Sequence, residues 1–199
     1  MSTTLREATL ARLLGSTASA AARFDPPAAD EHDPYYAAYV GNVPPGDFVA
    51  LLRRQADEVV EFFGALTPTQ ADFAYAPDKW TIKEVLGHLI DTERVFTFRA
   101  TCFARQDPGP LPGYDQDEWL KPGGFGARAL DDLIAEWLVV RAATLALVEA
   151  MPAAAPLRRG VASGREFTVR ALLYIPPGHV YYHFNVINER YRGAAGWPA

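Results

Sequence analysis

The 199-residue chain has a single cysteine, Cys102, so it can form no internal disulfide, and a reducing cytoplasm is the expected compartment. Cys102 itself reads as a small buried hydrophobe. Basic blocks are missing too: the formal net charge is −5, and no Lys/Arg run follows the pattern of a phosphate backbone, so nucleic acid is not an expected partner. No apolar run reaches the roughly 18 residues of a membrane span, so no membrane partner is expected. At the start, MSTTLREATLARLLGSTASAAARF is poor in acids, and Arg12 breaks its only leucine cluster, which leaves no clean signal-peptide core. Residues 1–30 read as an arm or short helix ahead of one domain over 31–199. Sustained strand alternation is absent, and only LRRGVASGREFTV leaves room for a short hairpin.

Apolar residues, by contrast, make up 49% of the chain, enough for a sizeable core. They fall into four helical stretches. DFVALLRRQADEVVEFFGAL carries a stripe through Phe48, Leu51, Leu52, Val59, Phe62 and Phe63, with Asp47 placed as N-cap. In KWTIKEVLGHLIDTERVFTFRATCFARQ, Thr81 and Glu84 fit a capping box, and Trp80 and Val85 are placed like a hydrophobic staple. A third stretch runs from about Ala127 to Met151, and a fourth from Thr168 to about Arg192. Two long connections, DPPAADEHDPYYAAYVGNVPPG and DPGPLPGYDQDEWLKPGGFG, read as irregular and rich in aromatics and carboxylates, able to roof one end of a bundle. The expected class is all-α, an antiparallel four-helix bundle with long loops at one end.

Histidine is scarce, which makes its placement informative. Of four, His179 and His183 are four residues apart on the last helix, and His88 lies mid-way along the second. Facing helices of a bundle build metal sites from such side chains, and three neutral imidazoles leave a divalent ion an open position. The segment His179-Val180-Tyr181-Tyr182-His183 lacks the glutamate that zincin proteases carry beside the first histidine, so that protease class is excluded. Three imidazoles do not select among zinc, nickel, iron and copper. Asp91, three residues after His88, is a candidate acceptor behind the ligands, with a pair to Arg94 as the alternative. His32 is a candidate to approach from the first connection. Asp115, Asp117 and Glu118 are candidates to position a substrate amine, or form an exposed acidic turn. Tyr181 and Tyr182 cannot both face the bundle centre.

Pro176 and Pro177 precede this pair directly. Each lacks an N–H, and a helix-interior proline costs around 3 kcal/mol, so the last helix is expected to kink or restart here. A restart would place His179 in a first turn, where the dipole opposes a cation by roughly 0.3–1 kcal/mol. That is small beside the roughly 10 kcal/mol of a structural zinc site.

From Asp33 to Tyr191 the chain resembles the DinB/YfiT-like family. The residues that carry the resemblance are KWTIKEVLGHLIDTERVFTFRATCFARQD, PLPGYDQDEW, FTVRALLYI and GHVYYHFNVINERY, in the family's order. The resemblance implies a homodimeric bundle in which His88, His179 and His183 bind a divalent metal, Zn²⁺ or Ni²⁺. It also implies metal-dependent chemistry of thiol S-transferase or hydrolase type, with a low-molecular-weight thiol and a small electrophile as partners. A non-catalytic metal- or ligand-binding bundle with a structural or sensing role is the alternative. Related sequences often read G-H-E-x-H-H; Val180 and Tyr182 depart from that pattern.

Overall fold

The computed structural model describes residues 24–198, so most of the expected N-terminal arm lies outside the described residues. Seven α-helices and one hairpin follow in order: α1 (Ala37–Gly41), α2 (Phe48–Gly64), α3 (Pro68–Ala71), α4 (Ile82–Ala104), α5 (Gln116–Gly123), α6 (Leu130–Glu149), β1 (Arg159–Ala162), β2 (Arg165–Thr168) and α7 (Val169–Val186). The long helices α2, α4, α6 and α7 form a four-helix bundle: α4 packs on α6 and α7, α2 packs on α6, and Phe62 of α2 stacks on Phe184 of α7. No helix among the described residues is long and apolar enough to cross a membrane.

The helix starts are those their caps dictate. Asp47 accepts from the N–H groups of Val49 and Ala50 at the head of α2. Thr81 and Glu84 close a reciprocal capping box on α4, and Thr168 caps α7 through the Ala171 N–H. β1 and β2 pair antiparallel in the register Arg159↔Thr168 to Ala162↔Arg165. Ser163 and Gly164 both have positive φ (53° and 70°), the signature of a two-residue primed turn whose twist suits a hairpin.

Three features differ from the sequence reading. The second connection contains α5, two turns capped by Asp115, and the first contains α1, which docks on α7. The third difference is at the proline pair. α7 neither stops nor restarts there; it is continuous from Val169 to Val186 through Pro176 and Pro177. Every residue from Ala171 to Val180 is buried. Burying side chains such as Leu172, Leu173 and Ile175 contributes roughly 1.5–3 kcal/mol each, which outweighs a local cost of around 3 kcal/mol per proline. Side chains from other elements also serve carbonyls of this segment: Gln55 Nε2 donates to Pro177 O (2.9 Å) and Asn42 Nδ2 to Gly178 O (3.4 Å). His179 is therefore interior to a helix, and no first-turn dipole opposes a cation there.

A polar waist divides the apolar core. α2 gives Phe48 and Leu52 to one half and Val59 and Phe63 to the other, with Gln55 between them. α4 and α6 repeat the pattern with Glu93 and Arg141. Arg141 and Glu93 meet in a two-pronged ion pair, Nε to Oε1 at 2.8 Å and Nη2 to Oε2 at 2.7 Å, with side chains 0% and 1% exposed. Gln55 Oε1 and Leu52 O take further guanidinium protons, and Thr144 donates to Glu93.

The segment ahead of α1 is fastened by Glu31. Its buried carboxylate accepts from Arg170, from Thr168 Oγ1 (2.8 Å) and from the Ala28 N–H (3.1 Å). The Arg170 bonds, reinforced by the other two against the cost of burial, hold its pKa down at about 2. Because the folded value lies below the unfolded one, this contribution is complete above about pH 4.3 and is lost as pH falls from there toward 2. In urea titrations, the wild type is expected to exceed Glu31→Gln by about 2–3 kcal/mol at pH 6, with the difference vanishing near pH 2. A difference independent of pH would contradict the latch.

Candidate metal centre

His88 stands in the middle of α4, while His179 and His183 are one turn apart on α7, the helix packed against α4. Their side chains converge. His88 Nε2 lies 3.2 Å from His179 Nε2, and His183 Nε2 lies 2.9 Å from the same atom. The three donor atoms all fall within 4.8 Å of one another. The residues are 4, 6 and 9% exposed.

Burial pushes all three imidazoles toward the neutral form. The His88 pKa falls to about 4 by desolvation alone, and that of His183 to about 3 by desolvation and the nearby His88. His179, enclosed and flanked by both others, drops well below its ordinary value. Neutral rings are the form that ligates metals. A proton cannot satisfy three converging Nε2 atoms, since each hydrogen bond joins one donor to one acceptor. A tetrahedral ion at about 2.0–2.1 Å from each nitrogen sets ligands about 3.3 Å apart, close to the 3.2 and 2.9 Å of the two pairs that share His179, with the third pair within 4.8 Å. The donor set thus fits a divalent metal. The buried Nδ1 atoms of His179 and His183 have no hydrogen-bond partner among the described residues, and ring packing surrounds the trio: Trp80 lies 4.9 Å from His88 and Tyr39 meets His179 edge-on at 5.1 Å.

The profile of the DinB superfamily matches residues 51–187, well over half of the chain and spanning all three histidines. The chain belongs to the DinB superfamily. Among solved structures, this DinB-superfamily protein is similar to YfiT from Bacillus subtilis, described as a probable metal-dependent hydrolase with an unusual four-helix bundle topology. The TM-score is 0.65 at 18% identity, covering 72% of this chain and 83% of that one, a likeness of fold. No curated protein matches the chain.

The other residues singled out by sequence take different places. Asp91 is half-buried, with a raised pKa from burial, and pairs with Arg94 at 3.5 Å; it is not among the converging donors. His32 is buried, lies 3.0 Å from the Asp33 carbonyl through Nδ1, and does not join the trio either. Glu84 is spent on the α4 cap. Tyr181 turns away to donate to Glu58 Oε2 (2.8 Å), whereas Tyr182 is 39% exposed beside Tyr39. Cys102 is half-buried, and burial raises its thiol pKa.

Two cavities of this DinB-superfamily bundle reach the trio. The larger, about 350 Å3, is lined by His88 and His179 together with Tyr36, Tyr39, Thr92 and Tyr114. The second, about 230 Å3, is lined by His183 with Tyr75, Trp80, Tyr182 and Arg190. Tyr114 is tied to Thr92 Oγ1 at 2.8 Å, which holds the second connection against α4. Sequence reasoning missed Tyr36, Tyr39, Thr92 and Tyr114 as lining residues. The only signal was the crowding of tyrosines in both connections.

Proposed function

We propose that this protein is a metal-dependent enzyme of hydrolase or group-transfer type, in which His88, His179 and His183 hold a divalent cation, Zn²⁺ or Ni²⁺. The observation that carries the reading is the convergence of three buried, neutral Nε2 atoms from two packed helices at the wall of a cavity. When bound, the cation supplies Lewis acidity and lowers the pKa of a nucleophile at its open face, water or a low-molecular-weight thiol. The protein contributes preorganisation. Trp80 and Tyr39 fix the rings of His88 and His179, and the tyrosine-lined cavity gives a substrate access to one side of the trio. The description of YfiT as a probable metal-dependent hydrolase agrees with this reading.

Protein purified without chelator or histidine tag is expected to contain about one divalent ion per chain by elemental analysis. His88→Ala and His179→Ala are each expected to lose at least nine-tenths of it while staying folded by circular dichroism. Equal, near-zero metal in all three proteins would overturn the site.

A further inference from the structure

The larger cavity has a distinctive wall. Tyr35, Tyr36 and Tyr39 come from the first connection, Tyr114 from the second and Phe96 from α4. The rings form a connected set: Tyr35 meets Tyr36 edge-on at 5.0 Å, and Tyr36 meets Phe96 at 5.8 Å. Tyr39 continues the set to His179. Across the same cavity stand two carboxylates, Asp115 and Asp117, with Gln116 between them.

The charges around this cavity are unbalanced. No lysine or arginine lines it. Asp115 spends Oδ1 on the N–H groups of Asp117 and Glu118, and neither Asp115 nor Asp117 forms an ion pair among the described residues. The nearby cations have partners of their own: Lys121 pairs with Glu118, Arg165 pairs with Asp33 and lies over the Tyr35 ring at 5.7 Å, and Arg99 donates to Pro112 O and Ser163 Oγ and lies over the Phe96 ring at 5.3 Å. A cavity lined by aromatic rings and two carboxylates attracts a cation, and it repels carboxylate and phosphate.

We propose that the substrate carries an ammonium group, bound among Tyr36, Tyr39 and Tyr114 and held by Asp115 and Asp117, so that the rest of the molecule extends toward His88 and His179. This rests on the functional reading above for the direction in which the substrate points, but not for the recognition of the cation. The ammonium site is assembled from both connections, and the histidines come from α4 and α7, so recognition and chemistry are carried by different elements meeting at one cavity.

The test is equilibrium binding of choline and of its neutral isostere 3,3-dimethylbutan-1-ol to the intact protein, followed by tyrosine fluorescence or ligand-observed NMR. Choline is expected to bind at least tenfold more tightly. The Asp115→Asn/Asp117→Asn variant keeps the α5 cap, because asparagine caps as well as aspartate, and is expected to lose that preference. Acetate, as an anionic probe, is expected not to bind. Equal binding of the two isosteres, tighter binding of acetate, or no saturable binding of any probe would overturn the proposal. Metal content is measured on the same samples. Choline selectivity in a protein that takes up no metal would refute the functional reading and leave the cation site standing, and the reverse outcome would refute the cation site alone.

Discussion

Replacing Arg141 with methionine is expected to destabilise the protein by roughly 3–5 kcal/mol, because it strands the Glu93 carboxylate in the middle of the bundle. Arg141 is fully buried and donates to both oxygens of Glu93, to Gln55 and to the Leu52 carbonyl, while its guanidinium lies 4.6 Å from the centre of the Trp137 ring. Few domains have more than 5–15 kcal/mol in hand, so the loss removes a large share of the total. The ion pair itself need not be strongly stabilising, since desolvation offsets much of its Coulomb attraction. The double variant Arg141→Met/Glu93→Gln, which leaves no charge behind, is therefore expected to recover at least half of the loss. Urea unfolding at pH 7 distinguishes the cases. A single variant within about 1 kcal/mol of wild type, or a double variant no better than the single, would rule out a closed polar waist.

Gly178→Ala carries the second large effect, and its sign is diagnostic. In an isolated helix the change is favourable by about 1 kcal/mol. In this fold a Cβ at position 178 would lie 1.7 Å from the Tyr39 carbonyl oxygen and 2.6 Å from its carbon, and these are backbone atoms that no rotamer change can move aside. α1 must lift off α7, and Tyr39 moves away from His179. A net loss of about 1–3 kcal/mol in thermal or urea unfolding is expected, with helical circular dichroism unchanged. The cavity beside the histidines is expected to open, which is read as faster hydrogen exchange of the α1 amides. A stabilised variant would mean that α1 does not dock on α7 in solution.

Much of the scaffold was legible because its signals are local. Asp47 and the Thr81–Glu84 box mark helix starts within four residues, and the apolar stripe from Phe48 to Phe63 repeats at the helical period. His88, His179 and His183 were legible through scarcity, spacing and a family resemblance together. What was not legible depends on partners distant in the chain. Glu93 and Arg141 look like ordinary surface charges, and nothing at either position reveals a bond across 48 residues. Tyr39 belongs to a segment with no periodicity, and its place on His179 follows from a backbone approach that Gly178 alone permits. The restart considered at the prolines does not occur for the same reason: the local rule is correct, but long-range burial along α7 is the larger quantity.

The family profile begins at residue 51, after Tyr36, Tyr39 and the Glu31 fastening. One wall of the cavity is thus written in a stretch of chain ahead of the profile-matched residues, joined to the rest by the Glu31 latch, the Gly178 approach, the Asn42 bond to Gly178 O, the Asp33–Arg165 pair and the Tyr36 ring contacts. Such an arrangement couples the two: residues 24–46 supply Tyr36 to the cavity wall and also Tyr39, whose ring packs on His179, so exchanging them alters the wall and the setting of one histidine together. A change in this wall is therefore felt at the histidine trio.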